Sequence, residues 1–71
     1  MLRQMREARG LTQIELARLL KVHQTSISLW ENHRNNPSLD CVVKLSQIFD
    51  CSIDQIVEAV KGGDKHDRKN H

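Results

Sequence analysis

Thr25, Ser28, Leu29 and Asn32 are spaced to lie along one side of a helix, and three of them are small, uncharged and able to give or take a hydrogen bond. Ile27, Trp30 and the aliphatic part of Glu31 fall on the opposite side. A helix of about three turns that hides one stripe and presents such groups on the other suits the major groove of DNA. There, every base pair shows its own pattern of donors, acceptors and methyls. Other chemistries find less to work with. No nucleophile, base and orienting group stand out as a set, and no glycine-rich phosphate loop occurs. His23 and His33 stand ten residues apart, while His66 and His71 lie in a charged terminal stretch. Neither they nor Cys41 and Cys51 have metal-ligand spacing.

The elements that must position this face are marked by punctuation. A first helix over residues 2–9 stops at Gly10, which takes positive φ without strain. Thr12-Gln13-Ile14-Glu15 is a capping box for a second helix reaching residue 20, with Leu11 and Leu16 as a hydrophobic staple. The same grammar recurs: Val22 and Ile27 bracket a helix starting near His23, and Cys51 and Ile56 bracket one starting at Ser52, where Ser52 and Gln55 form a second capping box. Between them Asn35-Asn36-Pro37-Ser38 is a loop, with an Asx turn expected at Asn36. Ser38 caps a fourth helix that runs to residue 49 and buries Leu39, Val42, Val43, Leu45, Ile48 and Phe49. The fifth buries Ile53, Ile56 and Val57. No strand pattern appears, so the expected class is all-α with five helices over residues 1–61, followed by a solvated charged tail over residues 62–71.

Seventy-one residues permit one domain. A chain of about 60 ordered residues buries only ~60% of the surface its unfolded form exposes, which leaves no room for a bulky cofactor or a deep substrate pocket. Neither an apolar run of about 18 residues nor a basic-then-apolar leader is present, so neither a membrane span nor a signal peptide is expected. The two cysteines then read as free thiols in a reducing cytoplasm. The net charge of +2 says less than its distribution. Residues 1–40 carry six basic side chains against four acidic ones, and residues 41–60 carry one against three. The basic half coincides with the two-helix element, as a footprint for phosphate requires, although an ordinary solvated surface gives the same count.

Taken in order, R-x-x-x-G-L-T-Q, E-L-A, W-E-N, N-P-S-L and S-I-D resemble the Cro and lambda-repressor type of helix-turn-helix domain, the XRE family. The likeness covers residues 2–60. It implies a compact five-helix, lambda-repressor-like fold in which helices two and three form the DNA-binding unit and helix three enters the major groove. Ala17 matches the small residue where those helices cross, and Ile27 and Trp30 match the buried positions of helix three. Two positions depart from the family pattern. Lys21 stands where a turn glycine is usual, at a cost of about 1 kcal/mol if positive φ is kept. His33 stands where glycine commonly ends helix three.

The resemblance assigns roles residue by residue. Gln24, in the first turn of helix three, can pair bidentately with adenine N6 and N7. Thr25 and Ser28 are permissive readers. Leu29 matches a position where relatives read bases; it can meet only a thymine methyl, with an exposed residue or a protein contact as the open alternative. Gln13, at the start of helix two where free N–H groups and the helix dipole attract anions, is expected to hold phosphate while buttressing Gln24. Lys21, His23, Asn32 and Arg34 are the further phosphate candidates. Arg6 and Glu31 are expected to form a structural ion pair that orients helix three.

The function these readings imply is sequence-specific binding of double-stranded DNA to regulate transcription. A repressor working as a homodimer on a pseudo-palindromic operator is expected, in a bacterial or phage-encoded cytoplasmic protein. The dimer interface would use Val60 with exposed parts of helix five, or the loop before helix four. No enzyme activity, cofactor, metal, small-molecule ligand or membrane contact is expected. The alternative is a protein-binding regulatory module, antitoxin-like, built on the same fold.

Overall fold

Helix boundaries in this chain follow from how each end satisfies its unpaired backbone groups. The structure, a computed structural model describing residues 1–61, has five helices: α1 (Leu2–Ala8), α2 (Gln13–Leu20), α3 (Gln24–Glu31), α4 (Leu39–Ile48) and α5 (Ile53–Lys61). The described residues include no strand, and the fold is the expected all-α, lambda-repressor-like one. The charged tail expected over residues 62–71 lies outside the described residues.

At the starting ends, the Thr12 hydroxyl accepts from the Glu15 N–H while the Glu15 carboxylate accepts from the Thr12 N–H, closing the capping box. Ser52 and Gln55 do the same at α5, and the Ser38 hydroxyl accepts from the Cys41 N–H at α4. The stopping ends are more uniform than the sequence suggests. In α1, α2, α3 and α4 a residue with positive φ follows the last turn: Gly10 (70°), Lys21 (59°), His33 (58°) and Asp50 (53°). In each case the next residue's N–H reaches back to the carbonyl five positions earlier: Leu11 to Arg6, Val22 to Ala17, Arg34 to Leu29 and Cys51 to Ser46. These are Schellman turns, and only one of the four uses glycine. The other three hold an L side chain in the left-handed region, at about 1 kcal/mol each.

The core gathers one stripe from every helix. Leu2, Leu16, Ile27, Leu45 and Ile56 are fully buried, and Ala17, Leu20, Trp30, Val42, Phe49 and Val60 complete the cluster. α1 packs on α3 and α5, α2 on α3 and α4, and α4 on α5. Two expected core residues are outside it: Leu39 is 73% exposed and Ile53 42%. Both are the first residue of their helix. A helical side chain leans toward the N-terminus and covers the turn before its own, and at the first position of a helix there is no such turn to lie over. Val43, Ile48 and Val57 are only half-buried. Val60 corrects the sequence reading in the opposite sense, because it lies in the core and offers no surface for a partner. The Asx turn expected at Asn36 is not formed by that side chain; the Asn35 carboxamide oxygen instead accepts the Asn36 N–H.

Candidate nucleic-acid interface

α2 and α3 are set against each other by small and apolar contacts. Ala17 of α2 is buried, its carbonyl accepting the Val22 N–H, and the Schellman turn at Lys21 carries the chain directly into the extended His23 that precedes α3. Ile27 and Trp30 then pin the inner face of α3 in the core. No buried side-chain nitrogen or oxygen among the described residues lacks a partner, so the Trp30 indole N–H is not stranded. What α3 leaves outside is Gln24 and Thr25, exposed, with Ser28 and Leu29 half-buried beside them. Its single acid, Glu31, does not join that surface: the side chain is only 4% exposed.

Glu31 is turned inward toward Arg6 of α1. The Arg6 Nε donates to Glu31 Oε2 at 2.6 Å and Nη2 to Oε1 at 3.2 Å, a two-pronged pairing that fixes angle as well as distance. The third nitrogen, Nη1, donates to the Leu11 carbonyl at 2.8 Å, so the guanidinium also braces the loop between α1 and α2. The hydrogen bond to Glu31 raises the Arg6 pKa; burial works against this, and the charges of Glu31 and Glu7 add to it. A raised folded-state pKa gives stability that is complete below the unfolded value and lost only as pH passes the folded one. For a guanidinium both lie in strong alkali, so its side of the pair is constant across physiological pH.

The pair reaches the outer surface through Gln13. Gln13 Nε2 donates to Glu31 Oε1 at 3.0 Å, and Gln13 Oε1 accepts from Gln24 Nε2 at 3.2 Å. Arg6, Glu31, Gln13 and Gln24 thus form one connected chain running from α1 to the exposed tip of α3. The Gln13–Glu31 contact has no sequence signal of its own, since residue type and position point Gln13 to Gln24 and Glu31 to Arg6.

The remaining candidates are more scattered. Lys21 and Arg34 are exposed at the two turns that flank α3. His23 occupies the N-cap position but makes no side-chain cap. Asn32 Nδ2 donates back to the Ser28 carbonyl at 2.9 Å, so this side chain is tied to α3 itself. Two anchors escaped sequence reasoning. The His33 ring Nδ1 lies 2.9 Å from the Val60 carbonyl, fastening the end of α3 to α5, and Arg9 Nη2 donates to the Phe49 carbonyl at 2.9 Å. Backbone acceptors at helix ends leave no residue-type signature. Among the described residues no group of histidines, cysteines and carboxylates gathers to hold a metal, and no helix is long and apolar enough to cross a membrane.

Comparison with known proteins points the same way as the geometry. The profile of a helix-turn-helix family matches residues 2–56. An HTH-type transcriptional activator, BcrR of Enterococcus faecalis, is 36% identical over 56 residues, 79% of this chain and 28% of that protein. The uncharacterized HTH-type transcriptional regulator YobD of Bacillus subtilis is 36% identical over 70 residues, 97% of this chain and 62% of that one. The chain therefore spans less than two thirds of the length of either relative. No solved structure matches it with significance.

Proposed function

We propose, on the premise that the chain belongs to the XRE-type helix-turn-helix family, that it binds double-stranded DNA sequence-specifically and regulates transcription, with α3 as the recognition helix. One observation carries the reading: the exposed face of α3 offers Gln24, Thr25 and Ser28 and no carboxylate, since the helix's one acid, Glu31, lies turned inward and paired with Arg6. A phosphate-lined groove repels acids, so a face that carries none is compatible with DNA. Gln24, Thr25 and Ser28 then read base edges and Leu29 meets a thymine methyl, while Gln13, Lys21, His23, Asn32 and Arg34 position the backbone.

A lone recognition helix spans too few base pairs to single out an operator, so the working unit is a twofold dimer on a pseudo-palindromic site. With Val60 inside the core, the interface falls to the loop before α4 and the exposed flank of α5. Repression by covering a promoter is the mode we favour; the relative BcrR is named an activator, and the place of the operator relative to the promoter sets the sign. A second reading, a protein-binding regulatory module, is favoured by one feature, the half-buried Leu29 on the presented face.

Titration of mixed-sequence duplex DNA at several salt concentrations separates the two. The DNA reading expects binding whose logarithm falls linearly with the logarithm of salt. No binding even at low salt transfers the assignment to the protein-partner reading.

A further inference from the structure

We infer that Glu31 sets the polarity of the reading amide: acting through Gln13, it turns the Gln24 carbonyl oxygen outward and so favours adenine over guanine at the base beneath Gln24. The inference rests on α3 reading DNA and adds a positioning role for a residue that touches none. A carboxylate can only accept hydrogen bonds. Glu31 Oε1 therefore requires the NH2 end of Gln13, which it holds at 3.0 Å. Reversing the Gln13 amide would press its oxygen against a carboxylate oxygen in a site almost closed to water, since the Glu31 side chain is 4% exposed. Arg6 prevents Glu31 from turning away, because Nε and Nη2 occupy both of its oxygens.

With that end of Gln13 fixed, its Oε1 faces Gln24 and demands a donor. Gln24 meets it with Nε2 at 3.2 Å. One N–H and the carbonyl oxygen of Gln24 are left to face outward, a donor beside an acceptor. The major-groove edge of adenine supplies the complement, N7 accepting and N6 donating. Guanine shows two acceptors, N7 and O6, and asks for two donors. Gln24 can provide two donors only by reversing its amide, which sets its oxygen against Gln13 Oε1. The buried ion pair on α1 and α3 thus reaches base choice through two amides, each allowed a single orientation.

The test uses an operator recovered from random duplexes, with the base pair whose preference is lost in Gln24→Ala replaced by each alternative. In Glu31→Gln, residue 31 can still accept from Arg6 while its new NH2 donates to Gln13, so both amides are free to reverse. The adenine-to-guanine affinity ratio at that base pair is expected to narrow by about tenfold, with preferences elsewhere unchanged. Gln13→Met keeps the Arg6–Glu31 pair and removes the fixed acceptor; it should narrow the ratio likewise, and it carries the test if Glu31→Gln does not fold by thermal melting. A uniform loss of affinity with the ratio intact in the folded variants overturns the inference and leaves Gln13 a phosphate clamp. Wild-type protein that discriminates no base at any position overturns the DNA-reading premise as well.

Discussion

The pair α2–α3 and the pair α4–α5 are built to the same local plan and present opposite surfaces. Leu16 and Leu45 are fully buried at matching positions, Leu20 and Phe49 close the first helix of each pair, and Lys21 and Asp50 take positive φ in the turn. Val22 and Cys51 follow, then His23 and Ser52 at the start of the second helix, of which only Ser52 caps it with its side chain, and Ile27 and Ile56 are fully buried. Beyond that the two diverge. α3 shows Gln24, Thr25 and Ser28 with its acid hidden, whereas α5 shows Ile53, Asp54 and Glu58. At the far end Glu31 of α3 pairs with Arg6, but its counterpart Val60 is apolar core. The local turn between the helices is therefore not what distinguishes α2–α3, the proposed reading unit, from α4–α5. A Schellman turn followed by a staple, Val22 with Ile27 and Cys51 with Ile56, occurs in both pairs, and the side chains left outside set them apart.

Substitutions at matched positions can break or sharpen this contrast. The largest effect is expected at the ion pair. Glu31→Ala leaves the Arg6 guanidinium buried without its partner, a loss on the order of 3 kcal/mol, and the melting temperature should fall by roughly 10 °C or more. An unchanged melting curve would mean that the pair does not hold α3 in place.

Next comes base reading. Gln24→Ala should cost about 1–3 kcal/mol on the preferred site and flatten preference at one or two base pairs. Ile53→Ala, at the matching position of α5, should leave DNA affinity unchanged; an equal loss there would erase the distinction between the pairs. Arg34→Ala is expected to weaken all sequences alike and to make the salt slope shallower by about one unit, read from titrations at several salt concentrations.

The smallest effects belong to the turns. Lys21→Gly and Asp50→Gly each relieve a left-handed L residue and should stabilise the fold by up to about 1 kcal/mol in urea melts. Only Lys21→Gly should also weaken DNA binding. Equal behaviour of the two on DNA would deny Lys21 a phosphate contact.

Much of the fold was legible because it is written in short-range grammar. The caps at Thr12, Ser38 and Ser52 and the staples fall within one turn of sequence, so residue type and spacing are enough to place them. The core stripe was legible through helical periodicity, which failed at Leu39 and Ile53 because periodicity says which side a residue takes and not how a helix's first position differs from its middle. The turn at Asp50 went unseen since no glycine marks it. At the site, the residues that meet were visible as types, but their wiring was not. That Glu31 serves Arg6 and Gln13 at once depends on three helices converging, and the bonds of His33 to Val60 and of Arg9 to Phe49 end on backbone oxygens that every residue possesses.

The claim that α3 reads sequence is tested most directly by selecting binding sites from random duplexes with the wild-type chain and with Gln24→Ala in parallel. The account expects the wild type to enrich a pseudo-palindromic site with adenine preferred at one position of each half, and Gln24→Ala to lose that preference while keeping the rest. Enrichment of no sequence by the wild type, or the same site enriched by both proteins, would contradict it.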